Sequence, residues 1–416
     1  MSTTETLALL GGAKAKKTPY GKGAKHDAEA EIEALRRRFL AGPLPLAKGQ
    51  SIMEFRQRVQ ELFGVRCCVP CSSGSAAVHA GLAALGVGPG DEVITTPLTD
   101  HGTLIGIMQL NAIPVFADVN PATMMIDAGT IAPRLSPRTR VLLPVHNLGC
   151  PTDMTGIVAL AAQHGLKVLE DCAQSWMAEW DHRLVGTFGQ VGIYSANESK
   201  HISAGEGGVI LTNDEATGRY ADLFVDKSYN RTGVGPVDPV MPALNYRMSE
   251  LNAVIGVEQL KKVRTVGERR HALGERLAAG IVGLPGVSLL RPPAHSKCTY
   301  WGAVLFVDAA AAGVDGTGFA KALAAEGISA GQPVQGFVLQ WPLFRTLNEK
   351  PTAFRTYIPP GLTQGRFDPA QCPNALAMRT RAVRLHLDNF CTEQDIDETI
   401  CAIRKVAAHY ARQAQG

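Results

Sequence analysis

Lys167-Val168-Leu169-Glu170-Asp171-Cys172-Ala173-Gln174 is an apolar run of strand length that ends in two acids and opens into polar residues. The same texture repeats outward on both sides. Residues 92–96, 113–119, 141–145, 192–195 and 208–211 are short apolar runs that read as buried strands. Segments with helical spacing lie around and between them, at 29–39, 52–63, 75–85, 102–110 and 156–164. Strands alternating with helices predict an α/β fold with a mostly parallel sheet covered on both faces. In such sheets ligands bind beyond the carboxyl ends of the strands. That rule directs attention to residues 96–101, 146–149, 171–174 and 195–200.

Beyond residue 245 the pattern changes. Leu251, Val254, Ile255, Val257, Leu260 and Val263 recur at helical spacing, which predicts one long helix over 245–282. Short strands are expected at 287–292, 299–307 and 328–333, and a closing helix over 393–411 with Ile396, Ile400, Ile403 and Val406 on one stripe. The expected organisation is an N-terminal arm (1–28), a large α/β domain (29–283) and a smaller C-terminal α+β domain (284–416).

Composition fits a globular protein. Of 416 residues, 45% are hydrophobic and 19% charged, and the formal net charge is only +3. A balance so near neutral points to no nucleic-acid or membrane partner. The basic cluster Lys14, Lys16, Lys17, Lys22 and Lys25 is interrupted by glycine and reads as a solvated arm. No apolar run approaches the ~20 residues that span a bilayer, and the start lacks the order of a secretory signal, so a cytoplasmic protein is expected. The nine cysteines are scattered. Cys68 and Cys71 form a lone C-x-x-C; with no second pair to complete a zinc ribbon, they read as small buried residues.

Three constellations carry candidate chemistry. In Ser73-Gly74-Ser75-Ala76 a glycine in a small-residue turn opens a helix, so Gly74, Ser75 and Ala76 offer backbone N–H groups to an anion such as phosphate. Taken alone, the same residues also describe an ordinary capped helix with Ser73 or Ser75 as cap. Asp171 closes its strand at the ligand edge, where a carboxylate can hold a ring nitrogen protonated, and Gln174 lies near enough to bond a ring hydroxyl. Alone, Asp171 equally fits a cap or a metal ligand. In Ser195-Ala196-Asn197-Glu198-Ser199-Lys200-His201 a lysine follows a strand by a short loop, before the glycines at 205, 207 and 208. Such a lysine can form an imine with an aldehyde cofactor, and Ser195 can reach a phosphate from the same loop. Alone, Lys200 is a loop lysine and His201 a loop histidine. The order cradle, acid, lysine in one chain is far more specific than any member.

With these in place, the chain resembles the DegT/StrS family of fold-type I enzymes dependent on pyridoxal 5′-phosphate (PLP), which aminate keto-sugars and keto-cyclitols. The likeness runs from about Leu7 to Val406. It includes Leu7-Ala8-Leu9-Leu10-Gly11-Gly12, the string GVGPGDEVI from Gly86 to Ile94, Pro144-Val145-His146, Glu170-Asp171-Cys172-Ala173-Gln174, and Asn245-Tyr246-Arg247-Met248-Ser249-Glu250-Leu251. The resemblance implies that Lys200 carries PLP as a Schiff base, that pyridoxamine 5′-phosphate is the intermediate form, and that Asp171 pairs with the pyridine nitrogen. It implies Gln174 near the ring hydroxyl, and Gly74, Ser75 and Ser195 on the phosphate. It also implies that Asn245 reaches the phosphate of a neighbouring subunit's cofactor, making the unit a homodimer with shared sites; sequence alone makes Asn245 a helix cap. The implied donor is glutamine or glutamate.

Two departures stand out. Where the family places an aromatic residue over the cofactor ring, this chain has Asp100 followed by His101, so either the imidazole stacks there or the contact is missing. Asn197-Glu198-Ser199 replaces the aromatic or proline residues frequent in sugar-nucleotide members and, together with the Leu-Ala-Leu-Leu-Gly-Gly start, favours the antibiotic-type cyclitol or amino-sugar branch. Other readings stay open on sequence alone: a relative doing dehydration, aromatisation or oxidation, or an inactive regulatory relative. Dehydrating relatives carry histidine at the lysine position, whereas here the register gives Lys200. A dinucleotide enzyme is disfavoured, because no G-x-G-x-x-G opens a helix in a first βα unit.

Overall fold

The computed structural model describes residues 6–413 except 232–234, 236–237, 294, 332–336 and 351–366. In chain order the strands are β1 (Cys67–Cys71), β2 (Glu92–Thr95), β3 (Ile113–Phe116), β4 (Thr139–Leu143), β5 (Lys167–Asp171), β6 (Glu179–Trp180), β7 (Arg183–Leu184), β8 (Val191–Ser195), β9 (Gly208–Thr212), β10 (Val287–Leu289), β11 (Ala303–Val307), β12 (Ala330–Gly331) and β13 (Ala382–Leu385). Seven form the central sheet in the order β1-β9-β8-β5-β4-β2-β3. Pairing is parallel from β8 through β3, and β9 runs antiparallel to both β8 and β1. Continuous apolar runs suit this position, since helices cover both faces and alternation has no purpose. The expected α/β architecture is therefore present.

Sequence reasoning missed β1, whose Cys-Cys-Val-Pro-Cys contains a proline. The strand lies at the edge of the sheet, where a residue without an N–H is tolerated. Cys68 and Cys71 are buried in it as free thiols, and burial drives both thiol pKa values up, Cys71 to about 12.

The long helix expected over 245–282 is two helices, Glu250–Leu260 and Val263–Gly280. They break at Lys261 and Lys262 without a glycine or proline to announce it. Asn245 is no cap: Ser249 Oγ caps the first helix by accepting from Asn252 N at 3.2 Å. Residues 244–247 are instead extended, because Lys227 N bonds Leu244 O and Tyr246 N bonds Val225 O.

The second sheet is antiparallel in the order β10-β11-β13-β12. Of the strand expected at 328–333, Ala330–Gly331 forms, Ile328 and Ser329 do not join it, and 332–333 fall outside the described residues. The closing helix Glu393–Gln413 packs its Ile396, Ile403 and Val406 stripe inward, against Val263–Gly280 among others. The basic cluster is solvated only in part: Lys14, Lys17 and Lys22 are exposed as expected, but Lys16 is buried. Leu7 is buried, Ala8 N donates to Glu326 Oε1, and Lys16 Nζ forms a buried ion pair with Asp395 at 2.6 Å. An ammonium that gives up water needs such a partner.

Candidate active site

The carboxyl ends of β5 and β8 open on a cavity of about 260 Å³ lined by Gly74, Ser75, Asp100, Asp171, Gln174, Ser195 and Lys200, among others. Seven of the ten expected site residues thus meet around one space.

One end of it is the first turn of the helix Gly74–Ala84. Ser73 Oγ accepts from Ala76 N at 3.1 Å, so the cap and the cradle coexist. Ala76 is buried and its N–H is taken, which leaves Gly74 and Ser75 with the free amides at the helix's positive end. Glycine at 74 is a packing requirement: a Cβ there would lie 2.8 Å from Ser195 Cβ. The two segments flanking the cradle are that close.

At the opposite end sits Asp171, 3% exposed. Oδ2 accepts from Thr103 Oγ1 at 2.7 Å and Oδ1 from Ala173 N at 3.0 Å. Since Thr103 spends its only hydroxyl proton on the carboxylate, Thr99 Oγ1, 2.7 Å away, must donate to Thr103. Burial pushes the Asp171 carboxyl up from its ordinary value, against these bonds and the nearby Lys200 charge. Gln174 Oε1 accepts from Leu148 N at 2.9 Å, which turns its NH₂ away from that backbone. Leu148 adopts a left-handed φ of 55° to offer the amide, a costly conformation for a branched residue.

Lys200 stands on the loop leaving β8, held by Lys200 N to Asn197 O and Ala204 N to Ala196 O. Burial lowers its pKa, while Asp171 and Asp100 raise it in part. Its Nζ lies 4.8 Å from the centre of the Trp301 ring. Trp301 Nε1 donates to Ser199 O at 2.7 Å, and Trp301 N to Leu148 O at 2.8 Å. Sequence reading placed Leu148 only within the strand-end stretch 146–149 and did not single out Thr103 or Trp301, and Trp301 has no motif around it.

Three expected residues lie off the cavity. Asp100 lines it, but His101 does not: it is exposed, with its ring edge-on to Trp341 at 6.1 Å. Asp100 caps the following helix through Oδ1 to Gly102 N at 2.8 Å. Asn245 is exposed and pairs with Asp226, away from this chain's own cavity. The third is Ala76, described above. His201 also turns away. It is buried, its Nε2 donates to Thr299 O at 3.1 Å, and desolvation depresses its basicity strongly.

A neighbouring trio, His146, Glu170 and Cys172, has metal-ligand spacing but satisfied bonds. Glu170 accepts from Gly186 N, Phe188 N and Gly189 N at 2.7–2.8 Å and faces His146 Nε2 at 3.2 Å. Thr152 N donates to His146 Nδ1, which leaves the ring proton on Nε2 for Glu170. A larger groove of about 470 Å³ lies elsewhere, and several of its charges are already paired, Arg56 with Asp222 and Arg247 with Asp226.

A mostly parallel sheet, a second antiparallel sheet and a lysine, acid and helix N-terminus at one strand edge are the architecture of fold-type I aminotransferases. The chain belongs to the DegT/DnrJ/EryC1/StrS aminotransferase family, a PLP-dependent family whose model matches residues 26–404. It is 34% identical over 287 residues, 68% of each chain, to a putative L-glutamine:3-amino-2,3-dideoxy-scyllo-inosose aminotransferase of Streptoalloteichus tenebrarius. It is 30% identical to the spore coat polysaccharide biosynthesis protein SpsC of Bacillus subtilis, over 87% of this chain and 90% of that one. The X-ray structure of an aminotransferase from Psychrobacter cryohalolentis superposes with a TM-score of 0.80 at 26% identity, covering 95% of this chain and 99% of the other. Among the described residues no helix is long and apolar enough to cross a membrane.

Proposed function

We propose that this enzyme moves an amino group from glutamine or glutamate to a keto-cyclitol or keto-sugar, in the making of an amino-cyclitol or amino-sugar metabolite. The observation that carries the reading is the meeting of Lys200, Asp171 and the Gly74–Ser75 turn around one cavity. The donor set fits PLP: free amides at a helix N-terminus for a phosphate, a buried carboxylate for a pyridinium, and a desolvated amine for an aldehyde. The glutamine donor and the inosose acceptor in the name of the Streptoalloteichus relative support the cyclitol branch.

When bound, PLP supplies an electron sink for charge developing on the substrate carbon. The chain supplies the rest. Gly74, Ser75 and Ser195 would hold the phosphate, and Gln174 would offer its NH₂ to the ring hydroxyl. Asp171, braced by Thr103, would keep a negative charge toward the ring nitrogen. Lys200 Nζ takes the proton from the donor's α-carbon, and in the second half-reaction gives a proton to the former carbonyl carbon of the acceptor. A lowered pKa suits that alternation, because the amine is neutral more often than an ordinary lysine. Asn245 serves the phosphate of a second copy, so the working unit is a homodimer. Its exposure, and a groove lined by the exposed Met53 and Tyr229 and by Arg247, support that reading.

The test is spectroscopic. PLP-loaded protein mixed with glutamine or glutamate should lose the visible absorbance of lysine-bound cofactor, and a keto-cyclitol should restore it faster than a nucleotide-linked keto-sugar. Absence of any change across amino donors would overturn the proposal.

A further inference from the structure

The cavity around Lys200 is lined by three carboxylates, those of Asp100, Asp171 and Glu206, against a single amine, that of Lys200. Among the described residues no arginine and no second lysine lines it. The chemistry proposed above gives roles to Asp171 and Lys200 and none to Asp100 and Glu206. These two stand on the solvent side: both are exposed, whereas Asp171 is buried. They arrive from different elements. Asp100 closes the loop after β2, where its Oδ1 accepts from Gly102 N at 2.8 Å. Glu206 lies on the turn that enters β9. That turn has a left-handed φ of 80° at Gly205 and is tied by Gly205 N to Ser203 Oγ at 3.0 Å and Asn252 Nδ2 to Ala204 O at 2.6 Å. Among the described residues neither carboxylate has an ion-pair partner. Other exposed acids do: Glu268 has Lys297 and Asp397 has Arg276.

Loading the site sharpens the imbalance. A phosphate in the Gly74–Ser75 turn adds negative charge, Lys200 Nζ is committed to the cofactor, and Asp171 is balanced by the ring nitrogen. Asp100 and Glu206 are left uncompensated. A cleft lined by one sign of charge concentrates the opposite sign and turns away its own. Size sets an independent limit. At about 260 Å³ the cavity is smaller than the ~300–1,000 Å³ common for pockets that hold drug-sized ligands, and the cofactor shares it. A nucleotide attached to the acceptor would trail outward and set its phosphates against both carboxylates. Resting on the proposed transaminase reading, we infer that the acceptor is a ketone already carrying an ammonium group, an amino-keto-cyclitol or amino-keto-sugar without a nucleotide, and that Asp100 and Glu206 select it.

The test runs the acceptor half-reaction backwards, where the probes are stable amines. Wild type, Asp100→Asn, Glu206→Gln and the double variant are PLP-loaded; asparagine keeps an oxygen for the Gly102 amide, so the cap survives. Each is mixed with 2-deoxystreptamine, a cyclitol with two amines, and with the same ring carrying a hydroxyl in place of one amine. One amine nitrogen passes to the cofactor and its ring carbon leaves as the ketone; only the diamine keeps an ammonium. Loss of the visible absorbance of lysine-bound cofactor gives kcat/KM for each probe, and their ratio cancels any general damage to the site. Wild type should favour the diamine about 10-fold or more. Each single variant should lower that ratio about three- to fivefold, the scale of an exposed ion pair, and the double variant about 10-fold. High salt should compress the wild-type ratio in the same direction. Equal wild-type rates for the two probes would overturn the inference, as would a preference that survives the double variant. So would faster reaction of wild type with a nucleotide-linked amino-sugar than with the diamine. If glutamine converts the loaded enzyme and neither cyclitol does, the inference alone falls. If no amine converts it, the transaminase reading fails as well.

Discussion

Glu170 and Asp171 follow one another on β5, both buried, and strand geometry sends them to opposite faces of the sheet. Glu170 meets three backbone amides and the His146 imidazole, so its oxygens are filled from within the chain. Asp171 receives one hydroxyl and one amide and turns the rest of its bonding capacity to a cavity shared with Lys200. Both acids are expensive to bury. One is compensated as folding occurs; the other keeps an unmet demand, as burial raising its pKa records. The contrast teaches that the acid to which the proposed function gives a role is the less satisfied one.

Exchanging each acid for its amide should break the pair apart. Asp171→Asn removes the charge beside the ring nitrogen and is expected to slow the donor half-reaction by about 10²–10³-fold, the scale of losing one preorganised electrostatic group. Its melting temperature should hold or rise. Glu170→Gln should do the reverse. Whichever way the amide turns, an NH₂ faces backbone N–H donors, so stability should fall by about 3 kcal/mol, read by denaturant unfolding. Folded Glu170→Gln enzyme should keep its rate with saturating PLP.

A smaller effect is expected at the cradle. Gly74→Ala forces a Cβ against Ser195 and should weaken PLP about 10-fold in an equilibrium titration, a cost of one to two kcal/mol of local displacement. Ser73→Ala removes only the cap and should cost about 1 kcal/mol of stability.

The smallest effect sharpens the comparison with a third acid. Asp100 does both jobs, capping Gly102 and facing the cavity. Imine formation needs the neutral amine of Lys200, so PLP loading should rise with pH through a midpoint below the ordinary lysine value. Asp100 raises the Lys200 pKa, so Asp100→Asn should move that midpoint lower and speed loading near neutrality. An upward move would contradict the placement.

Much of the fold was legible because its strands are buried on both faces and read as unbroken apolar runs. β1 escaped through Pro70, which an edge strand tolerates. The break at Lys261 and Lys262 escaped because the apolar spacing continues across it. Of the site, Lys200 was legible through its company, Asp171 and the Gly74 turn, and not through its own surroundings. Thr103 and Trp301 were not legible. They arrive by tertiary routes: Thr103 from the helix after β2 and Trp301 through the left-handed turn at Leu148. Lys16 misled for the same reason, since nothing near it in sequence announces Asp395.

The most direct test of the account is reductive trapping. PLP-loaded protein is treated with borohydride, digested, and mapped by mass spectrometry. The account expects the reduced cofactor on Lys200 alone. Label on Lys25, the lysine beside Glu198 on the same loop, or on any other residue, or no label at all, would contradict it.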